Sequence, residues 1–139
     1  MHFFKFLINS ILKLHNRDIV HSCITPWNII ITSDDNKYKI IGTNSLYYPD
    51  EVQQKIYFVR KIDEREIIFM APEIIDINNS KSKDYKEYPY KADYWSAAMV
   101  ILYMLTLGEC EKYILNHYKK SKNIAESVTN YIKMNYRDM

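Results

Sequence analysis

The sequence predicts a mainly α-helical domain that carries a small β-hairpin region. Three observations point there. Near the start, apolar residues recur at three- and four-residue spacing; from Ala92 to Leu107 they run almost all round a helix; and two short β-branched segments flank a polar turn. A chain of 139 residues with 47% apolar and 14% aromatic side chains has the means to bury one core, which argues against disorder and against two independently folded units.

Taken in order, Phe3, Phe4, Leu7, Ile8, Ile11, Leu12 and Leu14 share one helical face, so the first helix is expected to end near residue 15 and to need a partner. Asn16-Arg17-Asp18 is a turn. Ile19-Val20, Asn28 to Thr32 and Tyr38 to Ile41 read as short strands, the last two joined through Ser33-Asp34-Asp35-Asn36. From Gly42 to Phe69 no period holds, a length that inside a small domain is usually functional or mobile. Ala71-Pro72-Glu73 opens a short helix ending near Ile77, and Asn78 to Lys91, polar and carrying Pro89, is expected as a solvated loop. Ala92 to Leu107 is expected as a buried central helix with Gly108 as its stop. Glu109 to Met139 shows weaker helical spacing at Tyr113, Ile114, His117, Val128, Tyr131 and Ile132.

Charge and cysteine usage exclude several classes. Nineteen basic and seventeen acidic residues leave +2, evenly interspersed, which gives neither a nucleic-acid footprint nor a polybasic membrane signal. Cys23 and Cys110 stand far apart without metal-ligand spacing, so no zinc site or disulfide framework is expected and a reducing, intracellular and cytoplasmic setting is. Ala97 to Leu107, the longest apolar run, falls short of the roughly 20 residues that span a bilayer. Lys5, Asn9 and Lys13 break the amino-terminal apolar stretch, which fits an amphipathic helix better than a signal peptide. No nucleic-acid and no membrane partner is expected.

Three separated motifs then line up. Leu14-His15, followed by Ile19-Val20-His21-Ser22-Cys23-Ile24-Thr25-Pro26-Trp27-Asn28 and Ile29-Ile30-Ile31, resembles the end of the first long helix and the catalytic loop H-R-D-L-x-P-x-N of the eukaryotic protein-kinase family. Lys39-Ile40-Ile41-Gly42-Thr43-Asn44 stands where the metal-binding D-F-G follows its strand. Phe69-Met70-Ala71-Pro72-Glu73 is similar to the A-P-E end of the activation segment, and Ala92-Asp93-Tyr94-Trp95-Ser96 to the D-x-W-S start of the central helix. Order and spacing carry the resemblance, which covers about residues 3 to 108. It implies a kinase-like C-terminal lobe over 1–139, with the first helix at 1–15, the catalytic- and metal-loop region at 19–44, an activation-like segment at 45–73 and the central helix at 92–108. As written, the chain starts inside the family's first helix, so an N-terminal lobe, with its glycine-rich loop and lysine, is expected to be absent.

Phosphoryl transfer in this family is positioning plus electrostatics. The resemblance places Cys23 at the catalytic aspartate, Ser22 at the preceding arginine, Thr25 at the loop lysine, Gly42 at the metal-binding aspartate and Glu66 at the threonine before A-P-E. Asn28 alone remains of the metal pair. A thiol and a hydrogen replace two carboxylates, so no cofactor is expected, and a catalytically inactive pseudokinase lobe that binds another protein is the leading reading. The alternative is a fragment or subunit of an active ATP-dependent serine/threonine kinase, with ATP and magnesium as its cofactors and Asp34, Asp35 or a partner's residues as replacement acids. His21, Asp93, Trp95 and Ala71-Pro72-Glu73 match positions that brace the loop, the central helix and the activation segment; the family's aspartate at the position of Asp93 accepts hydrogen bonds from the loop backbone.

Each residue also has a plainer reading. Asn28 is a vestigial metal ligand or a side chain closing a turn. Cys23 is a reactive thiol or a small filler. Trp27 is an exposed anchor or packs on the first helix. Tyr47, Tyr48 and Tyr57 are modification sites or reflect a composition with thirteen tyrosines. In the family Glu73 pairs with a later arginine, for which Arg137 is the candidate; without it a partly buried carboxylate is expected to lie unpaired. Exposed apolar surface is expected along the first helix and from Ile24 to Ile31.

Overall fold

In the computed structural model, residues 2–32, 37–42, 63–79 and 90–136 are described. They form α1 (His2–His15), a 3₁₀ turn (Pro26–Asn28), β1 (Ile29–Ile31), β2 (Tyr38–Ile40), a second 3₁₀ turn (Glu64–Phe69), α2 (Pro72–Asn79), α3 (Lys91–Leu105), α4 (Glu109–Ser121) and α5 (Ile124–Asn135). The architecture is mostly helical, with one antiparallel two-stranded sheet pairing Ile29 with Ile40, Ile30 with Lys39 and Ile31 with Tyr38. None of the described helices is long and apolar enough to cross a membrane.

The apolar stripe of α1 turns Leu7 and Ile11 inward, where they meet Ala97 and Val100 of α3, Cys110 and Ile114 of α4 and Val128 and Tyr131 of α5 in one core. A fully buried Leu or Ile is worth about 2 kcal/mol. At the same time Ile8 and Leu12 stay exposed on α1, and Trp27, Ile30 and Ile31 around the hairpin; Ile24 differs from expectation in being buried, because it plugs into the same core. A smaller cluster gathers Ala71, Ile74 and Ala92, with Trp95 against it.

Several elements depart from the sequence reading. The Ile19-Val20 strand is only a single bridge at Val20. Asn28 ends a 3₁₀ turn instead of opening a strand, since Pro26 fixes the first position of that turn. Inside the stretch that showed no period, Glu64–Phe69 forms a 3₁₀ turn capped by Asp63, whose carboxylate accepts from the Arg65 N–H. The weak tail is two helices, α4 and α5, separated by Lys122 in a left-handed turn and an Asn123 cap that accepts from the Glu126 N–H. The central helix is not buried all round: Tyr94, Met104 and Leu105 are exposed. Its end is also built differently. Leu107, 93% exposed, already holds the left-handed conformation (φ 51°), and its N–H donates to Met104 while Gly108 N–H donates to Tyr103. Gly108 follows at φ 84°, where a Cβ would meet the Tyr103 ring at 3.1 Å. The hairpin turn 33–36 and residues 80–89 of the expected loop lie outside the described residues.

α3 is tied to the segment preceding α2 by one buried hydroxyl. Ser96 Oγ donates to the Phe69 carbonyl at 2.7 Å, with the Ala92 carbonyl at 3.0 Å. Ser96→Ala leaves the Phe69 carbonyl buried without that donor and is expected to cost about 1–3 kcal/mol. Urea unfolding checks this: the midpoint falls with an unchanged slope, whereas an unchanged midpoint contradicts the tie.

Candidate functional site

The loop between α1 and the hairpin, residues 19–28, is organised by a carboxylate that lies far away in sequence. Asp93, in the first turn of α3, is fully buried. Its Oδ2 accepts the His21 N–H at 2.8 Å and lies 2.9 Å from His15 Nε2; its Oδ1 accepts the Ser22 N–H at 2.8 Å. Two successive amides converge on one carboxylate because Ser22 takes φ 59°, a left-handed conformation uncommon outside glycine. The positive end of α3 adds to the stabilisation of this anion. His15 is itself wedged between the Tyr90 and Tyr94 rings at 4.8 and 5.2 Å.

His21 is the second buried polar group, 2% exposed. The Cys23 N–H points at its Nδ1 at 3.4 Å, which places the proton of the neutral ring on Nε2. Nε2 has no hydrogen-bond partner among the described residues; the Ile41 backbone is near enough to favour the charged ring, though not in bonding geometry. Burial pulls the His21 pKa below its ordinary 6.5, outweighing the opposing influence of the Asp93 charge and of Ile41.

Beyond His21 the loop carries Cys23, buried, then Thr25, buried with its hydroxyl unpartnered among the described residues. Asn28 Nδ2 donates to the Cys23 carbonyl at 2.9 Å and lies 3.2 Å from Cys23 Sγ. Gly42, across the hairpin, sits against the Asn28 amide with φ 86°. Cys23, Asn28 and Gly42 therefore converge at one place. Magnesium prefers a cage of carboxylate, phosphate and water oxygens. A thiol, an amide and a glycine do not make such a set.

Trp27 is 42% exposed and packs edge-on against Phe69 at 5.3 Å, with the Arg65 guanidinium over its ring at 5.9 Å. Ala71 is buried, Pro72 opens α2 and Trp95 packs against that corner, its indole N–H unpartnered among the described residues. Glu73 corrects an expectation: it is exposed in the first turn of α2, so the cost of a buried unpaired carboxylate does not arise. Glu66 is half-buried in its 3₁₀ turn. Asp34, Asp35, Thr43, Asn44, Tyr47, Tyr48, Tyr57 and Arg137 lie outside the described residues. Two residues missing from the sequence-derived set matter here. Ser96 was in view as the last letter of D-x-W-S, whereas His15 had no signal beyond following Leu14 at the helix end.

No family model and no solved structure matches the chain. Curated relatives do. The serine/threonine-protein kinase ATG1 of Debaryomyces hansenii is 28% identical over 139 aligned positions, covering 91% of this chain and 15% of that protein. The serine/threonine-protein kinase atg1 of Dictyostelium discoideum is 28% identical over 109 positions, 78% of this chain and 14% of its own. That of Aspergillus niger is 26% identical over 152 positions, 91% and 14%. The chain is distantly similar to protein kinases. That similarity runs over most of its length, while the chain spans about one seventh of these relatives' length.

Two outcomes follow from the Asp93 cluster. Asp93→Asn puts an amide N–H₂ where three donors converge and is expected to cost about 2–4 kcal/mol in denaturant unfolding; a cost below about 0.5 kcal/mol contradicts the arrangement. The second concerns pH. The unfolded chain takes a proton on His21 near 6.5 while the folded chain resists it, so the stabilisation is complete above that pH and is lost as pH falls through the lower folded value. Melting temperature between about pH 8 and 5 is expected to fall more steeply for the parent than for His21→Gln; identical profiles contradict it.

Proposed function

We propose that this chain is a degenerate C-terminal lobe of the protein-kinase type that does not transfer phosphate and acts by binding another protein. The observation that carries the proposal is the meeting of Cys23, Asn28 and Gly42, the positions of base, metal amide and metal acid under the resemblance, with Cys23 and Gly42 each lying against the Asn28 amide and no carboxylate among the three. The acid bonded to this loop, Asp93, has both oxygens engaged by His15, His21 and Ser22. Low-identity similarity to kinases over most of the chain supports the ancestry.

A proton-accepting base must lie within hydrogen-bond reach of the substrate hydroxyl. A buried thiol at 23 does not meet that need, since a neutral thiol is a poor acceptor. At the loop-lysine position a buried Thr25 brings no cation to a phosphate. The binding role draws support from the apolar side chains left open beside this loop, Trp27, Ile30, Ile31 (64% exposed) and Ile41.

Incubating the chain with radiolabelled ATP, magnesium and a general protein substrate is expected to give no label above a no-protein control, and magnesium-ATP is expected to leave the melting temperature unchanged. Incorporation that disappears in Asn28→Ala overturns the proposal.

A further inference from the structure

The central helix leaves one side open, and the side chains there are ordered. Tyr94, Ala98, Ile101 and Leu105 follow at i, i+4, i+7 and i+11, the spacing that stacks residues in one row along a helix. Tyr94, Ala98 and Leu105 are exposed, and Ile101 is half-buried. On α1 a second row is made by Phe4, Ile8, Leu12 and His15, of which Ile8 and Leu12 are exposed. The rows meet where the His15 and Tyr94 rings touch, 5.2 Å between centroids. From there they run along two packed helices, one back to Phe4 and the other on to Leu105. They make an apolar face about three helical turns long on helices whose opposite sides build the core.

The charge of this face is one-sided. Residues 2–17 carry Lys5, Lys13 and Arg17 and no acid. In α3 the exposed charge is Lys91, since Asp93 is fully buried. Lys5 stands three and seven residues before Ile8 and Leu12, and Lys91 stands likewise to Tyr94 and Ala98, so each row has a cation beside it. The acid nearest to α1 in sequence, Asp18, accepts from the Tyr90 hydroxyl at 3.1 Å. A second copy meeting this face with its own would set these cations against each other. A bilayer also fits poorly: Ile8, Leu12 and Tyr94 are 37%, 41% and 40% exposed, so they lie half-sunk among their neighbours and do not stand out as the apolar side of an inserting helix does.

We propose that these two rows dock an amphipathic helix of a partner protein, one that sets apolar side chains at i, i+4 and i+7 against them and turns aspartate or glutamate toward Lys5 and Lys91. Ala98, the smallest side chain of the face, lets the incoming helix come close at its middle. The proposal rests on the binding role under Proposed function and gives that partner a chemistry. The open side chains beside the loop come from a turn and a short hairpin and offer no row of this length.

Fluorescence anisotropy with two synthetic peptides of about 15 residues tests this. Both carry Leu at i, i+4, i+7 and i+11 on an alanine background; one has Glu at the flanking positions and its twin has Lys. The 139-residue chain is expected to bind the glutamate peptide roughly tenfold or more tightly than the lysine twin. Ala98→Arg is expected to weaken that binding roughly tenfold with an unchanged melting temperature, because position 98 is exposed. Lys5→Glu combined with Lys91→Glu is expected to reverse the preference between the twins. No binding, equal affinity for both peptides, or full affinity in Ala98→Arg overturns the proposal. So does a parent chain that sediments as a dimer and separates in Ala98→Arg, or one that binds phosphatidylserine vesicles and neither peptide. Where Ala98→Arg lowers the melting temperature, the charge-reversed pair decides, and an unreversed preference overturns the docking face. Phosphate transfer by the parent chain would overturn the functional proposal and leave the peptides to decide the face, whereas peptides that fail to bind strike the face without touching the label measurement.

Discussion

A buried anion governs this molecule. A carboxylate taken out of water costs several kcal/mol unless donors replace its hydration, and Asp93 has three, from His15, His21 and Ser22, together with the positive end of α3. The requirement works in both directions. The amides of His21 and Ser22 would themselves be orphaned donors if the acid moved, so the loop takes the one path that brings both of them to it. The left-handed Ser22 is the local cost of that path.

From this pairing the rest is connected through α3. Its position is set by the core, where Ala97 and Val100 pack with Leu7 and Ile11 of α1 and with Ile114 of α4. At its first turn the helix holds the 19–28 loop through Asp93, and three residues later Ser96 holds the backbone of Phe69. Phe69 in turn carries Trp27, which comes from the loop itself. The loop, the corner before α2 and the core thus form a closed circuit of contacts. The groups that shape the loop are a carboxylate, backbone amides and aromatic edges.

The sequence was informative where its signal was periodic or local. The stripe of α1 was legible because Leu7 and Ile11 repeat at helical spacing, and the hairpin because β-branched residues flank a polar turn. The 3₁₀ turn at Glu64–Phe69 was not, being too short to show a period. Nor was the end of α3, where Leu107 adopts a conformation normally left to glycine so that Gly108 can lie against Tyr103. At the site, the residues inside motifs were identifiable, and the resemblance implied the bonds from the loop backbone to Asp93, while the contacts of His15 and of the Asn28 side chain were not legible. His15 meets Asp93 across 78 positions and Asn28 meets Gly42 across a hairpin, distances over which a single sequence carries no register. The exposure of Glu73 reversed an expectation for a related reason: whether a side chain at a helix start faces core or water depends on the packing around it.

Amide hydrogen exchange in metal-free buffer tests most directly whether the loop is shaped by Asp93 and not by a ligand. The His21 and Ser22 amides are expected to be protected to nearly the same degree as core amides of α3, with no change when magnesium-ATP is added. Rapid exchange at these two amides in the free chain, slowed by magnesium-ATP, would contradict that claim.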